Sequence, residues 1–460
     1  MKKLIALLLA MAMVFGLVAC GAKNEPAAPE AGKPEAAPEA APEAAPEAAP
    51  EAAPEAEEVT LTYWLPCNDL EDGAAEQKGI VNAAKAFMAK YPNIKLDLVP
   101  IGGNSDDYNA KFQMAATGNN LPDLMNISYG YVKQWANTGV IMQLDDIVAE
   151  ISDNYKTDAL EFANEAVEGY WAIPYMAEVQ GWAYNTEILG KYNLEVPETY
   201  DEFINVCNVL VQNGEKAISH GATDIWAIWG YHALFCQYGV DQELCAKLTA
   251  KEEDFFSNQS FRKTLEKIQG IANTGAYGDA VSYTSDAEAK ASFINGDAAM
   301  YCFATSFVSE LAASEHADKF VFNYGPQFAD SIHDKTVGLR TYGWNVYVGS
   351  AVEKDAAKLD AVKLWLEFLT SADGTNALWE AGTIPATDLS VVDKSALSPF
   401  MATIFDAIAA DGYSVPDLCQ AWFDASVKAP YRTAVTAIIT GATDIDGAMQ
   451  FVADWQSTAS

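Results

Sequence analysis

Cys20 closes the segment Leu17-Val18-Ala19-Cys20, and its thiol is the group whose chemistry is marked most plainly by its neighbours. Small Ala19 before it and Gly21 after it suit a signal peptidase that cuts beside a lipid-modified cysteine, behind the charged Lys2 and Lys3 and the apolar stretch from Leu4 to Gly16. Six further cysteines, Cys67, Cys207, Cys236, Cys245, Cys302 and Cys419, match no disulfide framework or metal motif, and buried free thiols are expected. The histidines His220, His232, His316 and His333 lack ligand-like spacing, so neither a zinc site nor a cofactor is expected. No phosphate loop, nucleophile elbow, zinc-protease helix or dinucleotide fingerprint occurs. Carboxylates are plentiful, but a hydrolytic pair of them is a spatial arrangement, so a surface glycoside hydrolase stays open as an alternative.

These residues need elements to hold them. Residues 1–19 read as a lipoprotein signal and 20–58 as the lipidated Cys20 with a tether. The apolar run is shorter than the roughly 20 residues of a spanning helix, so acyl chains, palmitate among them, would anchor an otherwise soluble chain to the outer face of the cell membrane. From Asn24 to Glu58 the sequence repeats Ala-Pro-Glu-Ala, with ten glutamates against the single Lys33. Prolines at that spacing disfavour helix and the glutamates repel one another, which predicts an extended spacer without a core. The whole chain carries a net charge of −36, which opposes nucleic acid and anionic headgroups as partners.

Residues 59–460 exceed what one hydrophobic core usually serves, which predicts two lobes. Val59 to Trp64 reads as a strand. Ile80, Ala84, Phe87 and Met88 follow at helical spacing, and Ile94 to Val99 alternates as a second strand. Strand, helix, strand is the unit of a parallel sheet covered by helices, so the fold class is α/β. Val362, Trp365, Leu366 and Leu369 share one helical face and read as core.

Several blocks, taken in order, resemble the sugar-type family 1 of extracellular solute-binding proteins, the lipoprotein receptors of ATP-driven (ABC) importers. They are Tyr63-Trp64 and Pro92-Asn93-Ile94 with their helix, Ala116 to Leu124 with its Gly-Asn-Asn-Leu-Pro-Asp run, Trp135 to Gly139, Tyr170 to Pro174, Trp182 to Asn185, and Val196 to Phe203. Phe293 to Met300 is similar to the family's Phe-x-x-Gly-x-Ala-Ala-Met block, and Gly338 to Gly349, Leu369 to Ser371, Gly382 to Pro385 and Ile438 to Gly441 complete the series. Tyr200, where the family usually has tryptophan, is a departure.

The resemblance implies a two-lobed fold whose chain crosses a hinge about three times, near Pro174, Pro326 and Pro385, with a ligand cleft between lobes 59–174 plus 326–382 and 175–325 plus 383–460. It also implies a monomeric receptor that binds a carbohydrate, an oligosaccharide above all, by lobe closure and hands it to ABC permease subunits without chemistry; a non-sugar solute is the alternative within the fold. A sugar offers an apolar ring face and an equator of hydroxyls, to be met by aromatic platforms among carboxylates, amides and arginine. On that basis Trp64, Asn68, Asp69, Tyr129, Glu178, Trp226, Trp229, Arg340, Tyr342, Trp344 and Trp422 are the expected ligand residues, with Trp229 the favoured platform. Ser306 and Phe307, which stand where relatives often carry glycine and tryptophan, belong to the expected ligand residues as well.

Overall fold

The computed structural model describes residues 58–71, 75–102, 105–128, 131–155, 158–165, 167–410, 412–415, 423 and 425–458. Cys20 and the tether, Tyr129, Cys419 and Trp422 lie outside the described residues.

β1 (Val59–Leu65) lies parallel to β2 (Ile94–Pro100), with Val59 opposite Ile94 and Leu65 opposite Pro100. The helix Ala75–Lys90 joins them and buries Ile80, Ala84 and Phe87, as its periodicity predicts. β3 (Leu124–Ser128) adds a third parallel strand, and β4 (Ile173–Pro174) and β10 (Trp344–Val348) complete a five-stranded sheet in the order β2-β1-β3-β10-β4.

The second sheet follows the order β12 (Tyr413–Val415), β9 (Val337–Thr341), β5 (Met176–Asn185), β7 (Ala298–Ala304) and β6 (Lys216–Ser219). Its centre is the long β5, antiparallel to β7 and β9. β6 and β12 form its edges, while β8 (Phe320–Asn323) and β11 (Ile384–Pro385) pair with β5 off that path. One crossing between sheets therefore falls between Pro174 and Met176. A second falls at Tyr342–Gly343, between β9 and β10, and not at the expected Pro326. Pro326 stays with the second sheet because its carbonyl accepts from Gln237 Nε2 at 3.0 Å, while Gln237 Oε1 accepts from Phe328 N at 2.6 Å.

Among the described residues, three apolar clusters hold the two α/β lobes. One lies under the helices Ala75–Lys90 and Ala356–Thr370, where Trp365 meets Tyr63 and Phe87 edge-on, and continues along β5 to Phe303, Phe320 and Phe400. The second fills the other face of the β5 sheet around Trp182, Tyr231 and Tyr431. The third backs β3 and β10 with Phe112, Trp135, Trp171 and Tyr347. Cys67, Cys207, Cys236, Cys245 and Cys302 are buried free thiols, so Cys236 and Cys245 are unbridged. No described helix is long and apolar enough to cross a membrane.

Candidate ligand-binding site

Parallel strands end their carboxyl edges in loops, and ligands of open α/β sheets bind there. At the end of β1, Cys67 is buried while Asn68 and Asp69 are exposed, and Asp69 Oδ1 accepts from Glu71 N at 2.7 Å. Trp64 is half-buried; strand alternation turns its ring to the third cluster, opposite to Tyr63 and Leu65. Trp344 begins β10 opposite Ser128, half-buried against the first cluster.

In the second sheet, Glu178 and Gln180 share one face of β5, where Gln180 Nε2 donates to Glu178 Oε1 at 2.8 Å. Glu178 is half-buried and faces Thr341 of β9 in register. The helix Trp229–Cys236 covers this sheet face and comes unusually close to it: Gly230 N donates to Cys302 Sγ at 2.9 Å, and Gly230 O accepts from Trp182 Nε1 at 3.3 Å. A Cβ on Gly230 would meet Gly181 O and Trp182 Nε1 at 2.7 Å, so only glycine lets the helix dock here. Burial pushes the Cys302 thiol up, keeping it a neutral acceptor.

That docking presents three rings in series. Trp226 lies 5.0 Å from Trp229 at 53°, and Trp229 lies 5.3 Å from Phe307 at 54°. Their exposures differ: Trp226 keeps 37 % of its surface in solvent, Trp229 only 8 %. Of the three rings Trp226 is therefore the most open to solvent, and Trp229 packs against it. Ala227 N donates to Asp224 O at 2.9 Å, closing a turn that carries Trp226 outward. Ser306 and Phe307, just beyond β7, are half-buried.

Lys290 and Glu310 escaped the sequence reading. Lys290 Nζ sits 4.1 Å from the centroid of the Phe307 ring and 2.8 Å from Glu310 Oε1, pinning the ring from the side of the helix Asp286–Ile294. Asp224 was also missed; its Oδ2 accepts from Asp286 N at 2.8 Å. No local spacing marks them, because the partners lie 20 residues apart for Lys290 and Glu310 and 62 apart for Asp224 and Asp286.

Arg340 and Tyr342 do not join this group. Alternation along β9 sends Arg340 to the opposite face from Thr341, into a cavity of about 270 Å³ with Tyr324 and Gln327, where its Nη2 donates to Ile408 O at 3.3 Å. The Tyr342 hydroxyl donates to Asp158 Oδ1 at 3.0 Å, and its ring meets Phe162 edge-on. Glu178, Ser306, Phe307, Trp226 and Trp229 thus gather at one end of the second sheet, and Trp64, Asn68, Asp69 and Trp344 at the strand ends of the first. Such an arrangement offers an exposed aromatic face, carboxylates and amides to a polar, ring-bearing molecule.

Compared with known proteins, residues 68–376 match the sequence model described as bacterial extracellular solute-binding protein. A multiple sugar-binding protein of Streptococcus mutans is 24 % identical over 186 residues, covering 39 % of this chain and 40 % of that protein. An uncharacterised ABC transporter extracellular-binding protein of Pyrococcus horikoshii is 23 % identical over 216 residues, 46 % of this chain and 50 % of the relative. The chain spans half or less of the length of these curated relatives. Among solved structures, a chitin oligosaccharide binding protein superposes with a TM-score of 0.69 at 18 % identity, covering 87 % of this chain and 99 % of the other. RafE of Streptococcus pneumoniae in its apo form also gives 0.69, at 17 % identity, over 87 % and 97 %. These likenesses show the two-lobed fold.

Proposed function

Because the chain belongs to the bacterial extracellular solute-binding protein family, whose members bind solutes and are not enzymes, we propose that it captures an oligosaccharide by lobe closure and passes it to an ABC importer from a lipid anchor on Cys20. The observation that carries the sugar reading is the solvent-facing Trp226, backed by Trp229 and Phe307 at the same sheet end as Glu178. An aromatic face backed rigidly from behind stacks on a pyranose at little entropic cost, while the nearby carboxylates and amides take its hydroxyls. Sugar- and chitooligosaccharide-binding relatives support the same ligand class.

In this reading the ligand residues are Trp64, Asn68, Asp69, Tyr129, Glu178, Trp226, Ser306, Phe307, Trp344 and Trp422, with Trp229 beneath Trp226. Tyr342 adjoins the crossing between the sheets, and Arg340 lines the cavity beside Tyr324, so neither is counted with that group. The lobes are 59–174 with 344–382, and 175–341 with 383–460, a division supported by the strand pairing. Ligand touching both lobes favours the closed form by its differential affinity for the two states, and the permease reads the closed shape. The chain acts as a monomer, held off the membrane by residues 20–58.

A thermal-shift screen of the full-length protein against neutral oligosaccharides tests the reading, since a ligand that binds only the folded state raises the melting temperature. A rise with one glycan series is expected. A rise with non-sugar solutes alone would replace the ligand class.

A further inference from the structure

Tyr283 is the most exposed large apolar side chain of the described residues, at 85 %. Single exposed aromatics are ordinary, and Phe451 and Trp455 on the helix Ile445–Thr458 call for no explanation. Tyr283 differs in what its loop is attached to. Thr223 N donates to Thr284 O at 3.1 Å, and the Thr223 hydroxyl donates to the same carbonyl at 3.3 Å. Next to this pair, Asp224 Oδ2 accepts from Asp286 N at 2.8 Å. Gly221 lets the two loops meet, for a Cβ there would lie 2.2 Å from Asp286 N. The loop of Tyr283 is thereby bolted to the turn that presents Trp226.

The mount of Tyr283 is rigid as well. It ends a short 3-10 turn, Val281–Tyr283, whose Val281 is buried in the second cluster, and the Thr284 hydroxyl donates back to Ala280 O at 2.9 Å. The turn leads into the helix Asp286–Ile294, whose start is fixed by a reciprocal Ser285–Glu288 cap and by the Tyr301 hydroxyl donating to Asp286 Oδ1 at 2.9 Å. Tyr301 lies on β7, the strand that runs out to Ser306 and Phe307. Counting residues through the Thr223–Thr284 pair keeps the Cα atoms of Tyr283 and Trp226 within about 20 Å, a span that several linked sugar units cover.

We propose that Tyr283 is an outer aromatic subsite, contacting units of an oligosaccharide that extend beyond the one stacked on Trp226 and so selecting longer chains over disaccharides. The proposal rests on the oligosaccharide reading given above. A solvent-facing phenol ring on a hydrogen-bonded loop adds stacking area without paying to order the backbone. Among the described residues the ring contributes almost no burial to the fold.

The test is calorimetric titration of the full-length protein and Tyr283→Ala with malto-, xylo- and chitooligosaccharides of two, four and six units. For whichever series binds the parent, Tyr283→Ala is expected to weaken the four- and six-unit members three- to tenfold and leave the disaccharide unchanged, with Tyr283→Trp restoring the parent's preference. Equal affinity of parent and Tyr283→Ala at every length would overturn the outer subsite and leave the carbohydrate reading intact. Absence of binding by the parent to all three series, with binding to a non-sugar solute, would overturn both.

Discussion

Trp226 and Trp229 touch, ring centroids 5.0 Å apart, yet one is open to solvent and the other nearly closed. Three residues of separation across the entry to one helix turn two identical side chains to different uses. In the proposed reading, stacking on a ligand falls to Trp226 and stability to Trp229.

That division can be measured. Trp226→Ala should weaken oligosaccharide binding by about 1–3 kcal/mol while leaving the melting temperature close to that of the parent. Trp229→Ala removes a buried ring and should cost about 3–5 kcal/mol of stability. Paired calorimetry and denaturant unfolding of both variants separate the two effects; equal losses of affinity at unchanged stability would return Trp229 to the ligand face.

Lys290 offers a milder probe. Replacing it with methionine deletes both the ammonium beside the Phe307 ring and the Glu310 pair, and the half-buried setting makes a loss of about 1 kcal/mol in stability the expected result. Lys290→Arg should recover most of it. Chemical denaturation of the two variants decides the matter.

His220 sets a pH dependence. Its ring is buried against Tyr231 and Tyr277, and burial pushes its pKa down to about 4. A depressed imidazole is neutral in the fold while the unfolded chain titrates near 6.5, so its contribution is complete above about 6.5 and falls away as pH drops toward 4. The full effect is about 3 kcal/mol. His220→Phe should flatten the stability profile across that window, and an unchanged slope would place the ring in contact with water.

Deletion of residues 24–57 should leave ligand affinity unaltered, because the described strands and all three apolar clusters lie beyond them. Titration of the shortened chain beside the parent checks this; a changed affinity would give the segment a part in binding.

The helical stripe holding Trp365 and the alternating β1 and β2 were legible because periodicity records burial directly. Which of two tryptophans three residues apart faces solvent was not, for that depends on Gly230 closing onto Gly181 from a distant strand. Arg340 carried the right chemistry, but its side of the sheet follows from pairing with Val179, a contact between residues far apart in sequence. Pro326 resembled a hinge, whereas the side-chain amide of Gln237 ties it to the second lobe. Each miss came from a long-range partner, which local pattern does not encode.

The most direct measurement is titration of the full-length protein with neutral oligosaccharides, followed by chromatography of the recovered sugar. Saturable binding of one glycan series, weakened by Trp226→Ala and with the sugar returned uncut, is the predicted result. Binding that ignores Trp226→Ala, or no binding to any glycan while another solute binds, would contradict an oligosaccharide receptor built around that ring.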